Sequence, residues 1–103
     1  MIIARWQIDA RFGQKEEVLK SVKQWREDIG TRIGWPMNKT RIMTGSIGAN
    51  ESLVVTEVEL DSITALDESW EKLSTMDAHR AWSKKLEPHI VSGSHRWEVF
   101  RKA

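Results

Sequence analysis

A chain of 103 residues has room for one modest hydrophobic core, and a single domain spanning residues 1–103 is expected. Sixteen basic residues against fifteen acidic ones leave a net charge of +1, so no overall field draws the chain to nucleic acid or an anionic membrane. The absence of cysteine removes disulfides, thiolate catalysis and Cys-ligated metal, and fits a reducing, cytoplasmic setting. No apolar run approaches the roughly 20 residues of a membrane span, and no basic-then-apolar leader opens the chain.

Residues 2–9 predict a first strand, in which Ile2, Ala4, Trp6 and Ile8 alternate with Ile3, Arg5, Gln7 and Asp9. Phe12-Gly13 leads to a helix from about Gln14 to Ile29, with Val18, Leu19, Val22, Trp25 and Ile29 on one stripe and Gly30 as C-cap. An irregular segment, Gly30 to Lys39, follows with Trp35-Pro36 at its centre. A hairpin, Lys39–Ile47 and Ser52–Leu60, is expected around Gly48-Ala49-Asn50-Glu51. Asp61 or Ser62 can cap a second helix with its stripe Ile63, Leu66, Trp70, Leu73 and Met76. Asp77 reads as a fresh N-cap for a short helix ended by Pro88, and Ser94 to Arg101 as the last strand.

Strand, helix, two strands, helix, strand is the order of the ferredoxin-like βαββαβ sandwich, an α+β fold with a four-stranded antiparallel sheet. Its central first and third strands would set Arg5 and Gln7 beside Glu57 and Glu59 on the open face, flanked by Arg96 and Glu98. A three-residue loop, Gly48 to Asn50, puts Arg41 opposite Glu57; a two-residue loop puts it opposite Val58. Ile3, Leu53, Val55 and Phe100 share that face, an apolar patch that favours burial against a second copy over simple hydration. A carboxylate among Glu57, Glu59 and Glu98 could act as a base if desolvated, or simply pair with Arg5, Arg41 and Arg96. The central strands offer no open-face aromatic ring for base stacking, so nucleic acid is not an expected partner.

Six tryptophans without one tyrosine are unusual, and each indole buries a large area around a single N–H donor. Trp6, Trp25, Trp70 and Trp97 fit the core stripes. Trp82 could face the core or a cavity mouth. Trp35, in the irregular segment, suits a lid or subunit contact, or a loop anchored by its own ring. His79, His89 and His95 share no metal-ligand spacing, and no metal or cofactor is expected. Gly-rich phosphate loops, nucleophile elbows and HExxH are all missing.

Across its whole length the chain resembles the dimeric α+β barrel superfamily, and most of all its NIPSNAP-like branch. The resemblance rests on element order and on Arg41-Ile42-Met43-Thr44-Gly45, Val55-Thr56-Glu57-Val58-Glu59, and Trp70-Glu71-Lys72-Leu73 leading to Asp77-Ala78-His79. It implies a homodimer closed sheet to sheet, with a small-molecule cavity lined by the open-face residues. It also implies monooxygenase-like chemistry without a cofactor, of the antibiotic-biosynthesis-monooxygenase kind, on an aromatic or polyketide-like ligand. The alternative is a non-enzymatic ligand sensor or assembly module of the same fold. Haem-degrading members use an asparagine on the first strand with a tryptophan and a histidine from the second helical region. Gln7, Trp70 and His79 fall in those places, with glutamine where asparagine would stand.

Overall fold

A computed structural model describes residues 1–103. Strand β1 (Ile2–Asp9) leads to helix α1 (Lys15–Asp28), then to β2 (Thr40–Thr44) and β3 (Leu53–Leu60). Helices α2 (Ile63–Ser74) and α3 (Asp77–Leu86) precede β4 (Arg96–Arg101). The strands form one antiparallel sheet in the order β2-β3-β1-β4, the ferredoxin-like arrangement with the first and third strands central.

Alternation along the strands decides what the helices cover. Ile2 and Ala4 of β1 with Val58 and Leu60 of β3 are buried against Trp25 of α1 and Leu66 and Leu73 of α2. Ile8, Val54, Val18, Val22 and Leu86 form a second apolar cluster nearer the other end of the sheet. Full burial of aliphatic side chains such as these contributes about 1.5–3 kcal/mol each, which fixes the face that β1 and β3 turn to the helices.

The hairpin takes the register of the odd loop, one of the two open to the sequence, but has a different length. Arg41 pairs with Glu57 and Thr44 with Val54, so an odd number of residues lies between paired positions. However, β2 stops at Thr44, short of Ile47. At Gly45 the returning chain passes so close that an added Cβ would lie 1.7 Å from the Asn50 carbonyl oxygen. That approach ends the regular ladder, although the Gly45 N–H still donates to the Leu53 carbonyl at 2.9 Å.

The helix ends also differ in detail from expectation. After α1 the chain tightens into a 3-10 turn over Gly30–Ile33, and the left-handed terminator is Gly34, at φ +91°, instead of Gly30. Ser62 caps α2, its hydroxyl accepting the Ala65 N–H at 3.1 Å. Asp77 is the first residue of α3, one place inside the expected cap, and its carboxylate pairs with Arg80 one turn on. No helix is long and apolar enough to cross a membrane.

Candidate ligand pocket between the sheet and the helices

The nine residues singled out above as pocket candidates divide between the two faces of the sheet. On the open face, Arg41, Glu57, Arg5 and Glu98 follow one another across all four strands, one row of alternating charge. Glu57 is only 5% exposed, and its two carboxylate oxygens lie 3.4 Å from Arg5 and 3.3 Å from Arg41. In the next row the Gln7 amide donates to Glu98 and accepts from Arg96 at 3.3 Å. The Lys102 ammonium donates to Glu59 at 3.0 Å, and this bond together with its charge holds the carboxyl below the ordinary value of 4.5. Every carboxylate on this face therefore has a partner, and none stands free as a base.

The deeper cavity is on the other face. About 380 Å³ opens between the sheet and the helices, and all six tryptophans line it. Its floor is a single row of the sheet, because Thr56, Trp6 and Trp97 pair directly across β3, β1 and β4. Its walls are Trp25 from α1, Trp35 from the segment before β2, Trp70 from α2, and His79 and Trp82 from α3. The rings touch in sequence: Trp70–Trp97 at 5.3 Å between centroids, Trp97–Trp35 at 5.9 Å, Trp35–Trp25 at 5.4 Å, Trp25–Trp82 at 6.0 Å and Trp82–Trp6 at 6.2 Å. The first three are edge-to-face contacts, the arrangement that the ring quadrupole favours.

Trp35 is 1% exposed, wedged between Trp25 and Trp97, so the irregular segment is anchored by its own ring and does not carry a mobile lid. Trp70, assigned to the core by its helical spacing, is instead 37% exposed and covers Trp97 at the outer wall. Trp82 lies on the cavity wall, and its indole N–H donates to the Ser21 carbonyl at 3.0 Å, tying α3 to α1.

Polar groups in this pocket are few. The Trp25 N–H donates to His79 Nδ1 at 3.0 Å, and burial pushes the His79 pKa below its usual 6.5. Trp35 Nε1 and Thr56 Oγ1 are buried without a hydrogen-bond partner, which is rare for polar atoms in a folded chain. Ser83, Glu87 and His95, all exposed, complete the polar part of the lining. An apolar, aromatic-walled cavity with a few convergent polar atoms suits a flat hydrophobic molecule better than a charged one.

No family model matches the chain, and no curated protein matches it by sequence. Solved structures do. A NIPSNAP family protein from Agrobacterium tumefaciens superposes with a TM-score of 0.79 at 20% identity, over 99% of this chain and 92% of that one. A NIPSNAP domain protein from Burkholderia xenovorans gives 0.74 at 17% identity, over 100% and 95%. The chain has the NIPSNAP-like fold. An antibiotic biosynthesis monooxygenase shares it, with a TM-score of 0.71 at 11% identity over 100% and 99% of the two chains. The superfamily resemblance read from the sequence thus holds at the level of architecture.

Within that NIPSNAP-like fold the positions expected from haem-degrading relatives do not assemble. Trp70 and His79 line the tryptophan pocket, but Gln7 lies on the opposite face of the sheet, bonded to Glu98 and Arg96. Trp6, its neighbour in the strand, faces the pocket, so backbone alternation itself turns Gln7 away. These residues do not make up a haem site. Of the pocket groups, sequence reading assigns Trp6, Trp25 and Trp97 to core packing, leaves Trp35 and Trp82 open, and misses Thr56, Ser83 and Glu87. The strand register could have found Thr56, which shares a row with Trp6.

Proposed function

We propose that this chain binds a flat, apolar, aromatic-type small molecule in the tryptophan-lined pocket, one per chain. We propose further that two copies pair through their open sheet faces as a homodimeric α+β barrel. The observation that carries the first part is the convergence of all six indoles on one 380 Å³ cavity, with two unpartnered polar atoms buried in its wall. Support for the second is the open face itself. Its central charges are already compensated, and Ile3, Val55 and the 44%-exposed Phe100 lie among them. Such a surface can be covered without leaving a bare charge buried. Arg5, Gln7, Arg41, Glu57, Glu59, Arg96 and Glu98 then line the seam between copies, whereas Trp70 and His79 face the ligand.

Retention of 1,4-naphthoquinone in equilibrium dialysis tests the pocket, and Trp82→Ala, which removes a wall, lowers it. Absence of retention by the unaltered protein defeats the ligand-binding reading. Light scattering tests the pairing: a mass near twice the 11.9 kDa of one chain is expected, and a monomer at micromolar concentration refutes it.

A monooxygenase-like oxidation of the bound ligand is the second reading, favoured by the architecture shared with antibiotic biosynthesis monooxygenase. Its expected form, a desolvated glutamate as base, loses support from the arginine and lysine partners of the open-face carboxylates. His79, held in the wall between Trp25 and Trp82, is then the titratable group set deepest beside the ligand, with Glu87 and His95 at the exposed rim. Oxygen uptake with a panel of phenolic substrates, abolished in His79→Phe, is the corresponding test.

A further inference from the structure

His79 is joined to Trp25 across 54 positions of sequence, a bond that ties α3 to α1 within the pocket wall. An indole nitrogen carries a hydrogen and has no acceptor capacity. Where it meets an imidazole nitrogen at 3.0 Å, the imidazole must accept. In a neutral ring the proton then has only one place to go, Nε2. The geometry holds both partners firmly. The His79 ring stacks on Trp82 at 22° between planes, and Trp25 is held edge-on by Trp35 at 77°. His79 Nε2 has no partner within the chain.

We propose that Trp25 is a positioning residue that fixes His79 as the Nε2–H tautomer, so that the pocket selects flat ligands bearing a hydrogen-bond-accepting oxygen. The selection rests on the ligand-binding reading above; the tautomer does not. Two polar groups buried in the pocket wall, reached only by a ligand that parts the packing over them, point the same way. The buried Trp35 N–H also lacks an acceptor, and so does the Thr56 hydroxyl, which can donate as readily as accept. A pocket so supplied rewards an oxygen acceptor and offers a hydrocarbon of equal shape nothing comparable. The same lock withholds from metal the imidazole lone pair that iron ligation would need, in keeping with the scattered positions of Gln7, Trp70 and His79.

Two measurements on the full chain test this. In protein labelled with 15N-histidine, two-bond proton–nitrogen correlation reads the tautomer directly, with His79→Gln assigning the signal. His79 is expected to show a protonated-type Nε2 and an unprotonated Nδ1. Trp25→Phe keeps a ring but removes the donor, and the signal should shift towards a mixture. A protonated Nδ1 in the unaltered protein overturns the proposal.

Equilibrium dialysis then compares 1,4-naphthoquinone with naphthalene, and a chain without cysteine forms no thiol adduct with the quinone. Preference for the quinone by about tenfold is expected, the worth of one good hydrogen bond. It should shrink several-fold in Trp25→Phe and in His79→Phe, with His79→Gln, which keeps a donor, retaining more of it. Equal retention of the two compounds by the unaltered protein overturns the proposed selection while leaving the pocket reading intact. Retention of neither defeats the pocket reading, and the tautomer spectrum still decides the lock. If Trp25→Phe fails to fold, the spectrum of the unaltered protein and the two His79 variants carry the test.

Discussion

Trp35 offers a sharp test of how this chain is held together, because it is a fully buried indole supplied by the least regular segment. Truncation to alanine exposes or empties about 150–200 Å² of apolar contact. At ~25 cal/mol per Å² this is a loss of about 4–5 kcal/mol. Part of it returns, since the indole N–H is buried without a partner and removing such a group recovers about 1–2 kcal/mol. The net expectation for Trp35→Ala is about 3 kcal/mol, a large share of the ~5–15 kcal/mol that stabilises a typical domain. Trp35→Phe keeps most of the contact with Trp25 and Trp97 and removes the orphaned N–H, so it should fall within about 1 kcal/mol of the parent. Urea unfolding followed by far-ultraviolet circular dichroism measures both without relying on the emission of the altered residue. A loss below about 1 kcal/mol for alanine, or equal losses for alanine and phenylalanine, would refute the reasoning.

Two further outcomes are expected. The folded chain resists protonating His79 above its depressed pKa, whereas the unfolded chain takes up that proton near 6.5. Stability contributed here is therefore complete above about pH 7 and lost as pH falls through the folded value. Protonation also turns Nδ1 into a donor facing the Trp25 N–H, which forfeits a hydrogen bond worth about 1 kcal/mol. Asp77 and Arg80 on the same helix and Glu87 and His95 on the pocket rim are the charged or titratable groups nearby, and urea midpoints of His79→Gln across the same pH range isolate the His79 contribution. Gly45→Ala should cost about 1–3 kcal/mol, because the new Cβ drives against the Asn50 carbonyl, whose oxygen also accepts the Leu53 N–H at 3.1 Å. Faster amide exchange at Leu53 would accompany that loss, and an unchanged midpoint with unchanged exchange would show that the hairpin simply moves aside.

The fold could be read from the chain because its local signals agree with one another. Alternation in β1 and β3 names both faces, while the hairpin leaves two registers open, of which the odd loop, with Arg41 against Glu57, is the one formed, and β2 is shorter than its residues suggest. That length depended on a close backbone approach at Gly45, a three-dimensional fact with no periodic trace. The site was less legible. Helical stripes marked Trp25 and Trp70 as inward-facing, but a stripe says nothing of whether the rings it brings inward will fill the space between layers. Here they leave a gap, and Trp70 ends at its outer wall. The same alternation that places Trp6 towards the helices already forbids Gln7 from joining Trp70 and His79. Family analogy suggested the trio, and strand geometry overrules it.

The contiguity of the indoles has a consequence for spectroscopy. Rings separated by 5.3–6.2 Å exchange excitation energy within their excited-state lifetime, so light absorbed anywhere in the set is shared before it is emitted. The near-ultraviolet dichroism of this protein should therefore be dominated by coupled transitions and not by six separate bands. A single guest molecule lodged among them would darken the whole ensemble at once.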